Sequence, residues 1–227
     1  MKSLGRMLVV ALFVVLPLAA QTLPEPSPAD LWDGLLKSNK DFVSGKLTYD
    51  KLTEQRERQQ NRQAPQVSIV SCADSRVPPE LIFNRSIGEL FIVRAAGNIV
   101  DDFALGSLEY AAPPVHNWTK LIVVLGHSDC GAVAAALRRS PPKDPFSASL
   151  QSVLTRIRES FGGMSYLDPY TDEDPLPKAL RRAATEANAL AVVAYIRAHS
   201  PALRNTAIYA AYYDMETGAV TRVMPRP

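Results

Sequence analysis

Residues 121–137 read Leu121-Ile-Val-Val-Leu125-Gly126-His127-Ser128-Asp129-Cys130-Gly131-Ala-Val-Ala-Ala-Ala-Leu137. Five consecutive apolar, largely β-branched residues predict a strand buried on both faces, the signature of a parallel sheet. Gly126 ends the run. The small apolar residues from Gly131 to Leu137 predict a helix, so one strand–turn–helix unit carries a histidine and a cysteine in its turn.

The same pattern lies upstream. Residues 66–71, Gln-Val-Ser-Ile-Val-Ser, predict a strand that runs into Cys72-Ala73-Asp74-Ser75-Arg76. Leu90 to Val93 predict another strand, followed by Arg94 and a Gly97-Asn98 turn. Residues 101–112 open with two aspartates, as helix N-termini favour, and stop at Pro113-Pro114. That helix is expected to place Phe103, Leu105, Leu108 and Ala112 on one face. Ala179 to His199 predicts a long alanine-rich helix, and Ala207 to Tyr213 a further strand ending near a turn at Glu216-Thr217-Gly218. Strands alternating with helices give the fold class: α/β, a mainly parallel β-sheet flanked by helices. Residues 28–64 read as an N-terminal arm of two polar helices, the second around the solvated run Lys51 to Arg62, with the α/β core at 65–227. Residues 163–177 read as a surface loop.

Cys72 and Cys130 are the only cysteines in 227 residues, 58 positions apart. Each falls just past the C-terminal end of an apolar strand, where open parallel sheets form their ligand crevice. Thiolate, imidazole and carboxylate together suit a zinc ion. A Cys72–Cys130 disulfide is the competing reading. It uses only the cysteines and leaves Asp74, Arg76 and His127 at the same edge without a purpose. The glycine spacing Gly126 to Gly131 resembles a phosphate loop, but Ala132 and Val133 stand where Lys and Ser/Thr would contact phosphate and Mg²⁺.

Composition sets further bounds. At 47% hydrophobic the chain can bury one substantial core, and 25 basic against 23 acidic residues give no electrostatic reason to expect nucleic acid. Lys2 and Arg6 precede an apolar run from Met7 to Leu16 and the small residues Ala19-Ala20. This predicts a signal peptide at 1–20 cut after Ala20, since a spanning helix needs about 20 apolar residues. Its removal leaves a single domain, 21–227, with 23 basic and 23 acidic residues. The expected location is periplasmic or secreted, with no membrane association after cleavage. Secreted compartments also permit the disulfide.

The segments Cys-Ala-Asp-Ser-Arg-Val-Pro-Pro-Glu at 72–80, Gly-Glu-Leu-Phe-Ile-Val-Arg-Ala-Ala-Gly-Asn at 88–98, Gly-Ser-Leu-Glu-Tyr-Ala at 106–111 and Lys-Leu-Ile-Val-Val-Leu-Gly-His-Ser-Asp-Cys-Gly-Ala-Val at 120–133 resemble the β-class carbonic anhydrases. The similarity runs in order from about Leu35 to Gly218.

The resemblance implies zinc-dependent reversible hydration of CO₂ to bicarbonate and a proton, by attack of a zinc-activated hydroxide. It implies one Zn²⁺ per chain on Cys72, His127 and Cys130. Asp74 and Arg76 match the catalytic pair, and in a closed state Asp74 itself takes the fourth metal position. Substrate-binding positions implied in the same way are Gln63, Phe91, Ala96, Tyr110 and Gly131. A Rossmann-like topology, a fifth, antiparallel strand and a homodimer or homotetramer are further implications. Hydrolysis of another small heteroallene, CS₂ or COS, is the alternative on the same scaffold. Ile69 replaces a tryptophan that some bacterial relatives use to bind regulatory bicarbonate, although Arg94 and Tyr213 leave room for another such site. The stretch Ala112 to Trp118 departs from the family pattern. His116 and His199 are expected at the surface.

Overall fold

The computed structural model describes residues 24–49, 51–138, 146–162 and 176–225. The proposed signal peptide and most of the 163–177 loop lie outside the described residues. In chain order the elements are α1 (Pro28–Val43), α2 (Leu52–Gln59), β1 (Val67–Cys72), α3 (Pro79–Ile82), β2 (Leu90–Ala95), a 3-10 turn (Ala96–Asn98), α4 (Asp102–Tyr110), β3 (Leu121–His127), α5 (Gly131–Leu137), α6 (Ala148–Glu159), α7 (Lys178–His199), β4 (Ala207–Tyr213) and β5 (Val220–Val223).

The sheet order is β2-β1-β3-β4-β5. The first four strands are parallel, and β5 returns antiparallel to β4 as a fifth strand. All residues of β1 and β3 are buried, as two central strands covered on both faces require. Alternate residues of β3 feed two cores: Leu121, Val123 and Leu125 on one face, Ile122 and Val124 on the other. The first core packs against α1, α5 and α6, and the second against α4 and α7. No helix among the described residues is long and apolar enough to cross a membrane.

The N-terminal arm contains two helices of different character. Ser27 and Asp30 cap α1 reciprocally, the Ser27 side chain accepting from the Asp30 amide and Asp30 accepting from the Ser27 amide. Trp32 and Leu35 then dock into the core. None of the residues of α2 is buried, which fits the solvated charge run. Asn39 locks α1 down: it is 3% exposed, donates to the Ile82 and Gly218 carbonyls at 3.0 and 2.9 Å, and accepts from the Val220 amide at 2.9 Å. Asn39→Ala strands those buried groups, so urea unfolding is expected to show a loss of roughly 2–4 kcal/mol.

Two sequence expectations change. Phe103 is not on the buried face of α4: it is 88% exposed, while Ala104, Leu105 and Leu108 are buried. At about 100° per residue, Phe103 and Leu105 point to opposite sides, so they cannot share a face. His116 is half-buried rather than at the surface, stacked on Trp118 at 3.9 Å in the loop after the cis Pro113–Pro114 bond. His199 is exposed and stacks on Tyr195.

Candidate metal centre

Two neighbouring parallel strand ends, those of β1 and β3, and the start of α5 build the site. Cys72 is the last residue of β1, paired with Ala95 of β2, and His127 is the last of β3, paired with Tyr213 of β4. Cys130 follows the two-residue turn Ser128-Asp129 and is the N-cap residue of α5. Close approach at Gly126 lets α7 cover this edge, because a Cβ there would lie 2.7 Å from Thr185 Cγ2. Thr185 is 2% exposed and has little room to yield. Gly126→Ala is therefore expected to cost about 1–3 kcal/mol in a thermal or urea melt.

The ligand atoms of Cys72, His127 and Cys130 lie within 4.8 Å of one another, and this is the one such cluster among the described residues. All three residues are buried. Both cysteines are free, with their sulfurs 3.9 Å apart, so the disulfide reading fails. His127 Nδ1 is 2.9 Å from the Ser128 carbonyl, which can only accept. Nδ1 therefore carries the hydrogen, and Nε2 turns its lone pair toward the sulfurs. That Nε2 is buried without a hydrogen-bond partner. An orphaned buried nitrogen beside two thiols is the donor set a metal completes.

The surroundings favour the thiolate at Cys72. Contact with the Cys130 thiol and the amides of Asp74 and Gly97, at 3.4 and 3.3 Å, hold the Cys72 thiol well below its ordinary range. The same contact, with burial, pushes Cys130 up, so the two thiols do not ionise independently. Gly97 adopts φ 65°, a left-handed conformation that aims its amide at the sulfur. Asn188 of α7 fixes the other side of that turn by donating to the Gly97 carbonyl at 2.8 Å.

Asp74 and Arg76 stand at the rim. Arg76 grips the Asp74 carboxylate with Nε and Nη2 at 2.9 and 2.7 Å, and its backbone amide donates to the same carboxylate. The guanidinium holds the Asp74 carboxyl far below the usual carboxylate range. Arg94 fastens the backbone beneath them, donating to the Cys72 and Asp74 carbonyls at 2.9 and 2.6 Å. Tyr213 is buried in the core, as is Ile69.

The remaining sequence candidates divide. Ala96 and Gly131 adjoin the cluster, in the 3-10 turn beside Gly97 and at the start of α5. Phe91 pairs with Ser68, four residues before the Cys72 level, or roughly 13 Å down the strand. Gln63 and Tyr110 line a different feature, an open cleft of about 640 Å³ shared with His116 and Trp118, to which none of the ligand residues contributes. Sequence reasoning did not single out Asn188, or an Arg181 on α7 that reaches Asp129. Both come from a helix far along the chain, and no local pattern marks them.

The carbonic anhydrase family model matches residues 67–220. Carbonic anhydrase 2 of Mycobacterium tuberculosis is 41% identical over 116 residues, covering 51% of this chain and 55% of that protein. A carbonic anhydrase of Mycolicibacterium smegmatis is 34% identical over 154 residues, covering 65% of this chain and 74% of that protein. The chain thus spans about half the length of the first of these curated relatives. Among solved structures, tetrameric β-carbonic anhydrase from Sordaria macrospora superposes with a TM-score of 0.64 at 23% identity, over 86% of this chain and 98% of that one. Strand order, the buried Cys-His-Cys cluster and the family match converge on one assignment: the chain belongs to the carbonic anhydrase family, with the fold of its β-class.

Proposed function

We propose that this protein is a zinc enzyme that reversibly hydrates CO₂ to bicarbonate and a proton. The observation that carries the reading is the orphaned His127 Nε2 facing two thiols beside a clamped Asp74–Arg76 pair. The donor set fits zinc: bonds of about 2.3 Å at tetrahedral angles put two sulfurs roughly 3.8 Å apart, against 3.9 Å here. Two thiolates and a neutral imidazole also balance a divalent charge. Zinc with an open fourth position lowers the pKa of bound water to about 7, the value familiar from the three-histidine carbonic anhydrases, and so supplies a nucleophile at neutral pH.

The chain's own residues do the rest. Asp74, ionised throughout the working range, accepts the hydrogen bond of the attacking group and orients its free lone pair toward the CO₂ carbon. Arg76 would keep Asp74 turned away from a bound metal, and its two-pronged grip supports the open arrangement. Ala96 and Gly131 border the space where CO₂ would sit. The proton released leaves to buffer.

A second copy is part of this proposal. Gln63 and Tyr110 face a cleft of their own, Phe103 is almost fully exposed on the same side of α4 as Tyr110, and the Sordaria relatives are tetramers. These observations support a homodimer or homotetramer. Export to the periplasm or medium is supported by Lys2, Arg6 and the apolar run after them. N-terminal sequencing of the exported protein is expected to begin at Gln21.

Stopped-flow CO₂ hydration on the zinc-loaded protein, with COS and CS₂ as comparison substrates, tests the activity. CO₂ is expected to be the preferred substrate. A zinc-replete sample with no CO₂ hydration from about pH 7 to 9 would overturn the proposal.

A further inference from the structure

Asp129 sits between two metal-ligand positions, one residue before Cys130 and two after His127, with φ 54°. This left-handed conformation is costly for residues with a Cβ, and aspartate is among the few that tolerate it. The turn is pinned on one side by Ser128, whose amide donates to the Tyr213 carbonyl at 2.9 Å and whose hydroxyl accepts from the Met215 amide at 2.8 Å. On the other side two arginines hold Asp129. Arg76 Nη2 donates to its carbonyl at 3.2 Å, and Arg181 Nη1 of α7 pairs with its carboxylate at 3.0 Å. Arg76 is the arginine that also clamps Asp74, so Asp74, Arg76, Asp129 and Arg181 form one chain of contacts from the rim to α7.

We propose that Arg181 is a positioning residue for the metal centre: its ion pair with Asp129 fixes the strained turn that presents His127 and Cys130, and keeps the Asp129 carboxylate from competing with Asp74 for Arg76. The inference rests on Cys72, His127 and Cys130 being metal ligands. Without Arg181, the cation left in contact with Asp129 among the described residues is Arg76, and satisfying the carboxylate there loosens both the turn and the grip on Asp74. The side chains of Arg181 and Asp129 are 35% and 52% exposed, so the pair contributes little to folding. Its effect should instead appear in how long the metal stays.

The test compares wild type, R181Q, D129N, the double variant and R181K, each loaded with zinc and then challenged with a chromophoric chelator. D129N is the informative partner, because asparagine keeps the tolerance for positive φ and loses only the charge. R181Q and D129N are each expected to release zinc about five-fold faster, with the double variant no faster than either single, since both remove the same interaction. R181K is expected to return to within about two-fold of wild type, and melting midpoints to stay within roughly 3 °C. The Co²⁺-substituted R181Q should show an altered d–d absorption band that R181K restores. Release from R181Q at the wild-type rate, a double variant showing the product of the single effects, or no rescue by lysine would overturn the proposal. Failure of wild type to bind zinc at all would instead refute the ligand assignment beneath it.

Discussion

Cys130→Ser is expected to leave the purified protein without stoichiometric metal and to lower CO₂ hydration by at least ~10³-fold, because a ligand is lost rather than a supporting contact. Cys130 is 4% exposed, and in this pocket a serine hydroxyl meets a sulfur and an imidazole nitrogen instead of water. Zinc bound through the remaining Cys72 and His127 would have two protein ligands where a catalytic site uses three. Metal analysis beside stopped-flow on the same sample checks the result. Full zinc content with undiminished turnover would remove Cys130 from the site.

The second large effect is expected at Asp74. Asp74→Asn keeps the size of the side chain and removes the negative charge, so the two-pronged contact at 2.9 and 2.7 Å loses its ion pair and one of its two acceptors, an amide NH2 then facing the guanidinium donors. Turnover is expected to fall roughly 10²-fold or more with zinc content unchanged. Stability should barely move near neutral pH, because Arg76 is 55% exposed and remains hydrated without its partner. The pH dependence has a definite sign. Arg76 lowers the Asp74 pKa on folding, so the pair's contribution to stability is complete above the ordinary carboxylate value of about 3.9 and fades as pH falls below it. Any activity change between about pH 6 and 9 in the wild type must therefore come from a group other than Asp74. A turnover profile in that range that loses its inflection only in Asp74→Asn would contradict this assignment.

Much of the fold was legible in the chain because β1 and β3 are buried on both faces: β3 opens with the unbroken apolar run Leu121 to Leu125, and β1 is apolar and β-branched apart from the buried Ser68 and Ser71. The cluster was legible for the same reason: Cys72 and His127 end those strands, and strand ends of a parallel sheet meet at one edge. What escaped had no local signature. Helix α6 buries only Leu154 and Ile157 in a polar sequence, and its position depends on packing against α5. Phe103 misled because hydrophobicity alone does not say which side of a helix meets the core. Arg181 and Asn188 act across 52 and 91 residues of sequence, and only the finished fold brings them to Asp129 and Gly97. Gln63 and Tyr110 came from the resemblance to a family, and the single chain gathers them around a cleft of their own.

Zinc-edge X-ray absorption on the purified protein, with metal content measured on the same sample, tests the metal centre most directly. The account predicts one zinc per chain with two sulfur neighbours at about 2.3 Å and lighter neighbours at about 2.0 Å. A metal-free protein with Cys72 and Cys130 oxidised to a disulfide, or zinc surrounded by nitrogen and oxygen alone, would contradict it.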